Sequence, residues 1–220
     1  MSTRKFHTRA EAGKMLAREL TAYADCKDLV VLGLPRGGVP VAYEVAKLLG
    51  ATLDICLVRK LGVPGHKELA MGAITSGGIR VLNYDVVSSL GIANQTIEQV
   101  TAEESQELQR RDRAYRGDRP PLNVKNRTVI VVDDGIATGS TMRAAITMLK
   151  QQQPKRIVVA VPIAPPETCE ELSNFVDEVV CLKMPERMYA VGIWYEDFSQ
   201  TTDEEVRYLL TQQSTVSTHN

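Results

Sequence analysis

Only four of the 220 residues are cysteines, Cys26, Cys56, Cys169 and Cys181, and no two of them form a CxxC pair. The three histidines do not cluster either, so the spacing excludes the usual zinc sites and a disulfide framework and reads as reduced thiols. Long apolar runs are also missing. No stretch reaches the roughly 18 residues a membrane span requires, and the opening MSTRKFHTRAEAGK has no apolar core of signal-peptide length. The expectation is a soluble cytoplasmic protein with no membrane partner. Neither sign of charge prevails, the formal net charge being −1. Binding to a phosphate backbone usually needs a basic excess, so nucleic acid is not favoured as the main partner. Aromatic residues make up only 5% of the chain, which makes a local concentration of them informative.

Hydrophobic residues, at 44%, are enough for the core of one α/β domain with at most a small appendage. Thr8 and Glu11 have capping-box spacing, and Ala12, Met15, Leu16, Leu20 and Tyr23 follow at helical intervals, which predicts a helix over about 9–24. Leu29 to Leu34 is a short apolar strand ended by PRGG. VPVAYEVAKLLG then returns to helical periodicity, with Pro40 near its start and Gly50 at its stop. TLDICLVRK alternates like a strand, and AMGAITSGGIRVLN reads as a hairpin about Ser76, Gly77 and Gly78. Between them, KLGVPGHKEL is punctuated by Gly and Pro and reads as a loop. From Asn94 to Tyr115 a thin stripe of Ile97, Val100, Leu108 and Tyr115 predicts a long, mostly solvated helix. The strands TVIVV, RIVVAVPI and DEVVCLKM, separated by helical segments, complete a series of βα units. Such a series folds as an open, twisted, mainly parallel sheet with helices on both faces. The core is expected over about 8–183, with a small hood lobe at about 184–212 ending in a capped helix from Thr202 or Asp203, all within a single domain.

In VIVVDDGIATGSTM, Val129 to Met142, two acids follow a buried-type strand and precede a cluster of Gly, Thr and Ser. A parallel strand delivers its last residues to the sheet edge where open α/β folds bind ligands. Gly135 and Gly139 allow a tight turn, and Thr138 to Thr141 lie where a helix starts. Amides at a helix start, hydroxyls and the positive end of the helix dipole suit a phosphate monoester. Carboxylates would repel that phosphate, so Asp133 and Asp134 must face hydroxyl groups or Mg²⁺. A phosphorylated sugar meets both demands. A P-loop is excluded because no Lys follows Gly139, and neither GLPRGG nor DDGIATG supplies the GxGxxG of a dinucleotide site. A response-regulator receiver also ends a strand in acids, but it leaves ATGST without a role and places its acids earlier in the chain.

The string VIVVDDGIATGST resembles the ribose-5-phosphate loop of type I phosphoribosyltransferases. The resemblance implies that Asp133 and Asp134 hold the 2′ and 3′ hydroxyls of 5-phosphoribosyl-1-pyrophosphate (PRPP). It further implies that Ala137, Thr138, Gly139, Ser140 and Thr141 hold the 5′-phosphate. Gly135 departs from the pattern, standing where an aliphatic residue is usual. LGLPRGGVPVAYEVAKLLG is similar to the family's pyrophosphate loop. Arg36, Gly37 and Gly38 would take the diphosphate, Arg36 by its guanidinium and the glycines by exposed amides. The family often carries a nonproline cis peptide here, placing one near Pro35, Arg36 and Gly37. Arg59 to Ala73 has the position of a mobile loop that closes over the substrate, where Lys60 is the first choice for meeting developing pyrophosphate charge, with His66 and Lys67 behind it. AVGIWYEDF is similar to the family's hood. Tyr189 or Trp194 would stack on a base there, or pack the lobe together, Glu196 or Asp197 would assist a second Mg²⁺, and the metal residues are taken as Asp134 and Glu196.

Ala137 stands where 6-oxopurine members carry an Asp for the base, while adenine and uracil members have Ala, so the acceptor stays open. The chain most resembles bacterial phosphoribosyltransferase-domain proteins of unassigned acceptor. The resemblance implies a Mg²⁺-dependent, homodimeric transferase that moves ribose 5-phosphate from PRPP to a nitrogen acceptor, with a nucleobase as the expected class. The alternative is a PRPP- or nucleotide-sensing regulator of the same fold, for which the local cluster Arg110, Arg111, Arg113, Arg116 and Arg119 would have to form a nucleic-acid face.

Overall fold

The structure, a computed structural model, describes residues 4–117 and 119–216, with the side chains of residues 67, 68 and 213–216 outside that description. The chain forms two compact units. The first takes in the chain up to Cys56, Leu122–Gly139 and the chain from Gln153 onward. The second is Leu57–Pro121 with Ser140–Gln152.

The first unit is built on a five-stranded sheet of β1 (Leu29–Gly33), β2 (Thr52–Ile55), β6 (Thr128–Val132), β7 (Arg156–Ile163) and β8 (Glu178–Lys183). The order is β2-β1-β6-β7-β8 and every pairing is parallel. Each residue of β1 and β6 is buried, so both faces of the sheet are covered. That explains why these strands are unbroken aliphatic runs with no polar alternation. The helices of this unit are α1 (Arg9–Glu19), α2 (Gly38–Leu49), α6 (Pro166–Ser173) and α7 (Asp203–Val216).

Thr8 caps α1 by accepting the Glu11 amide, and Glu11 reaches back to the amide of His7, one residue earlier than a capping box would place it. The helix stops at Glu19, and Thr21–Tyr23 forms a separate 3-10 turn, so the predicted single helix to about 24 is two pieces. Gly50 ends α2 in the left-handed region at φ 64°. Thr202 caps α7 by accepting the Glu205 amide. Fraying after Gln212, which the tail composition implies, is not seen over 213–216, which continue α7, and residues 217–220 lie outside the described residues. The segment expected as a hood lies in the first unit, where Tyr195 joins Phe6, Ala12 and Ile163 in one buried cluster.

The second unit holds an antiparallel sheet, β3 (Val58–Val63), β4 (His66–Thr75) and β5 (Arg80–Leu82), packed by α4 (Asn94–Arg116) and α5 (Ser140–Gln151). The Gly/Pro-punctuated stretch expected as a mobile loop is here a hairpin. Pro64 and Gly65 form its two-residue turn, with Gly65 at φ 79°, and Gly62 sits at a register shift between the strands without ending β3. Turn residues were present, but they punctuate a strand pair rather than prevent one. A short helix α3 (Tyr84–Ser89), unforeseen from periodicity, is capped by Asn83.

The long helix α4 buries only Ile97, Leu108, Tyr115 and Arg116. Three of its four arginines are matched internally: Arg110 and Arg111 both donate to Glu107, and Arg116 pairs with Asp112. The two arginine bonds lower the Glu107 carboxyl to about 2. Among the described residues no helix is long and apolar enough to cross a membrane.

Candidate functional site

In the first unit's sheet, β1 has β2 on one side and β6 on the other, so the chain order reverses beside β1. A crevice at such a reversal, outside the C-terminal strand ends, is where open α/β sheets take their ligands. Two loops leave the sheet there, Leu34 to Gly37 after β1 and Asp133 to Gly139 after β6. They are joined at once by the Leu34 amide donating to the Val132 carbonyl at 2.9 Å. The peptide between Pro35 and Arg36 is cis, where the resemblance to the pyrophosphate loop placed it.

The two glycines after Arg36 are needed for close approach. A Cβ on Gly37 would lie 2.0 Å from Asp134 Oδ2, and one on Gly38 would lie 2.7 Å from the Val132 carbonyl oxygen. The amide of Gly38 donates to the Leu34 carbonyl at 3.0 Å as the first turn of α2 closes. This corrects the expectation that both glycine amides are exposed, because Gly38 is already inside the helix. Arg36 reaches Asp203 at the start of α7 with a 3.7 Å contact, both side chains about one-third exposed. So long and wet an ion pair is weak, and the guanidinium can turn to an anion at small cost.

The acid pair is mostly buried. Asp133 Oδ1 accepts the Asp134 amide at 2.8 Å, and Asp134 Oδ2 accepts Arg9 Nε at 2.8 Å. One oxygen of each carboxylate is thereby committed to the protein. Burial pushes both carboxyls up, Asp133 further because Asp134 lies beside it, while Arg9 pulls Asp134 back down. Donors from a bound diol would relieve that pair.

The rest of the loop is held from behind. The Ile136 amide donates to the Ile163 carbonyl at 2.9 Å, and Thr168 Oγ1 donates to the Ala137 carbonyl at 3.1 Å. Gly135, the departure from the family pattern, has a local cause: its Cβ would meet Val191 at 2.6 Å and Ile163 at 2.8 Å. Ala137 and Thr138 are exposed, Gly139 takes φ 71°, and Ser140 and Thr141 open α5 in the second unit.

Within the second unit, Lys60 lies on β3 and lines a cavity of about 460 Å³ together with Ser140, Arg143 and Thr147. His66 is exposed at the start of β4, and the Lys67 side chain lies outside the described residues.

Of the hood aromatics, Tyr189 is 85% exposed, whereas Trp194 is partly buried against the Phe6 cluster with its indole Nε1 unpartnered. The buried one is their neighbour Tyr195, whose hydroxyl donates to the Asp134 carbonyl at 2.6 Å. Tyr195→Phe should cost about 1 kcal/mol of stability by leaving that carbonyl without its donor, measured by urea denaturation.

Glu196 pairs with His7 at 2.7 Å on the surface. Two of the three carboxylates named for magnesium thus already have a side-chain partner, Arg9 for Asp134 and His7 for Glu196. Glu196 raises the His7 pKa above its ordinary 6.5, first through the hydrogen bond and then through its charge. An NMR titration should therefore place the His7 midpoint above 6.5, with the pair lost as pH rises through it, and Glu196→Gln should return the midpoint toward 6.5.

Among the described residues no group of three or more His, Cys, Asp or Glu side chains is placed to hold a metal ion. Magnesium, however, keeps several waters and commonly binds through one or two carboxylates plus substrate phosphates.

Sequence reasoning missed Arg9 and Tyr195. Arg9 is 125 residues from Asp134 and looks like any polar residue in the first turn of an amphipathic helix. Tyr195 stood within the segment singled out for its aromatics, but nothing in its spacing told which ring turns inward.

Fold and site together define an open α/β protein with a Gly-lined, acid-bearing crevice at its chain reversal, suited to a phosphorylated ligand that carries hydroxyl groups. The chain belongs to the phosphoribosyl transferase domain family, whose model matches residues 5–193. It is 45% identical to protein TT1426 of Thermus thermophilus, with a TM-score of 0.86 over 95% of this chain and 99% of that one. It is 47% identical over 201 residues to a Mycobacterium tuberculosis protein provisionally named a phosphoribosyl transferase, covering 91% of this chain and 45% of that protein. The chain thus spans about half the length of that relative. A shorter match, 42% over 59 residues, covers 27% of this chain and 28% of the uracil phosphoribosyltransferase of Desulfitobacterium hafniense.

Proposed function

We propose that the protein is a phosphoribosyltransferase that moves the ribose 5-phosphate of PRPP to a nitrogen acceptor, with a nucleobase as the acceptor class, and releases pyrophosphate. The observation that carries this reading is the acid pair at the switch point, with one oxygen of each carboxylate committed inside the protein. Two remaining oxygens on adjacent residues match two vicinal hydroxyls, each of which donates one hydrogen bond.

In this reading Asp133 and Asp134 grip the 2′ and 3′ hydroxyls, and Ala137 to Thr141 hold the 5′-phosphate at the start of α5. The diphosphate lies toward Arg36 and the Gly37–Gly38 turn. Arg36 leaves Asp203 to meet it. The bond from C1 to the pyrophosphate oxygen breaks with its electron pair going to that oxygen, while the acceptor nitrogen forms the new bond to C1 and gives up a proton. Charge grows on the leaving oxygen and at C1, so the protein's work is positioning and charge stabilisation by Arg36, loop amides and Lys60. Magnesium bound with the diphosphate, with Asp134 or Glu196 contributing, would supply further neutralisation of that charge. The residues 184–212 serve as the hood over the acceptor, where Tyr189 and Trp194 are the candidate contacts. Ala137 favours an acceptor that needs no acid at that position. A cytoplasmic homodimer completes the proposal.

The test is pyrophosphate release from PRPP and Mg²⁺ across a panel of bases. Release with one class of base is the expected result. PRPP binding without release from any base would instead favour a sensor of the same fold. For a sensor that reads nucleic acid, binding should fall steeply with salt. The pairing of Arg110, Arg111 and Arg116 with acids of their own helix weighs against such a face.

A further inference from the structure

Arg9 is anchored on three sides. Its Nε donates to Asp134 Oδ2 at 2.8 Å, its Nη1 donates to the Ser199 carbonyl at 2.7 Å, and its guanidinium lies 3.9 Å from the centre of the Phe198 ring. Both Arg9 and Asp134 are nearly closed off from solvent, at 12% and 13% side-chain exposure. The base of the arginine is equally well tied, since it opens α1 directly after the Thr8 cap. Phe198 is in turn placed by Tyr195, with ring centres 5.1 Å apart, and by Gly192, where a Cβ would come 2.8 Å from the Phe198 ring. A planar guanidinium held by a stack and a carbonyl presents its Nε–H in one direction only.

We propose that Arg9 is a positioning residue for sugar recognition: it takes one oxygen of Asp134 and so turns the other toward a ribose hydroxyl. The inference rests on the PRPP reading given above and adds to it a residue outside every loop that reading uses. Without the guanidinium, the Asp134 carboxylate gains rotational freedom, loses its nearest counter-charge and remains against Asp133. Any hydroxyl selectivity that depends on its orientation should fade. The Phe198 and Ser199 contacts make the same arginine the link between the segment after Tyr195 and the acid pair, so the region expected to meet the acceptor and the region expected to meet the ribose share one anchor.

A merely structural role for Arg9 predicts something different, a uniform loss of affinity with the fold loosened. The two separate in a comparison of ribose 5-phosphate with whichever of its 2-deoxy and 3-deoxy forms Asp134→Ala no longer distinguishes from it, each titrated by calorimetry into the wild type, Arg9→Met and Arg9→Lys. The wild type should prefer the ribose form by ~10-fold or more, the usual worth of a hydrogen bond to a charged group. Arg9→Met should bring the two ligands to within about 2-fold of each other, with Arg9→Lys between, because lysine restores the charge but not the planar fork. Thermal melting of each variant reports whether it is folded, and Arg9→Lys carries the test if the methionine variant is not. A ribose preference that survives in the folded variants, even at lower overall affinity, overturns the inference. A wild-type protein that binds neither sugar phosphate overturns the PRPP reading itself and the inference with it.

Discussion

Asp133→Asn should weaken PRPP binding by roughly 10- to 100-fold while leaving the protein as stable as the wild type or more so. The loss follows from replacing one charged acceptor facing a hydroxyl, an exchange worth about 1.5–3 kcal/mol. The gain follows from the electrostatics of the pair. A carboxyl whose pKa is raised on folding binds its proton more tightly in the folded chain, so stability falls as pH climbs from the unfolded value near 3.8 through the folded one. At neutral pH, far above the unfolded value, the raised Asp133 carboxyl therefore opposes folding, and asparagine removes that opposition. Its amide oxygen can still accept the Asp134 N–H. Asp134→Asn differs because it strips a nearly buried Arg9 of its ion partner. That variant should lose roughly 1–3 kcal/mol of stability as well as affinity. Calorimetric titration of PRPP and thermal melting at two pH values separate the cases. The melting advantage of Asp133→Asn should shrink as pH falls toward the carboxylate range. A variant that binds PRPP as the wild type does would remove the acid pair from the site.

Much of this layout is legible in the sequence alone. The strands β1, β6 and β7 are aliphatic runs of a kind only a sheet buried on both faces uses, and the Gly/Pro/Thr punctuation between them placed both loops at their C-terminal ends. What could not be read was of two physical kinds. One is local and conformational. Pro64 and Gly65 suit a disordered loop and a tight hairpin turn equally, and only the pairing of Val58 with Thr75 and Val63 with His66 decides between them. The other is long-range. The contacts of Asp134 come from Arg9, Gly37 and Tyr195, three places separated along the chain, and no periodicity joins them. The second unit is a case of both, since α5 follows directly on the Gly139 turn yet packs with the hairpin sheet of the middle segment. Gly135 is instructive in the same way. It departs from the motif because Val191 and Ile163 occupy the space an aliphatic residue there would need.

Gly37→Ala should be the most damaging single methyl group that can be added to this protein's crevice. The new Cβ would lie 2.0 Å from Asp134 Oδ2, 2.7 Å from its Cγ and 3.3 Å from Arg9 Nε. Backbone strain plays no part, because Gly37 has φ −61° and ψ −31°, a conformation alanine adopts readily. The conflict is wholly with the carboxylate. Asp134 cannot easily yield, since Arg9 holds the very oxygen that clashes and is itself held by Ser199 and Phe198. Either the acid swings out of its sugar-facing orientation or the loop carrying Arg36 lifts away, and each route disables one half of the proposed grip on PRPP. The expected result is a loss of ~100-fold or more in PRPP affinity with about 1–3 kcal/mol of destabilisation, the usual range for overpacking. Gly50→Ala is the control: no atom lies within 4 Å of its Cβ position, but φ is 64°. It should cost about 1 kcal/mol through its backbone alone and leave PRPP binding untouched. Combining Gly37→Ala with Asp134→Ala sharpens the argument, since removing the carboxylate removes the clash. The double variant should bind PRPP little worse than Asp134→Ala alone, a strong non-additivity between residues in contact. Additive losses would place the damage elsewhere in the loop, and a Gly37→Ala protein with wild-type affinity would show that the two loops do not act as one site.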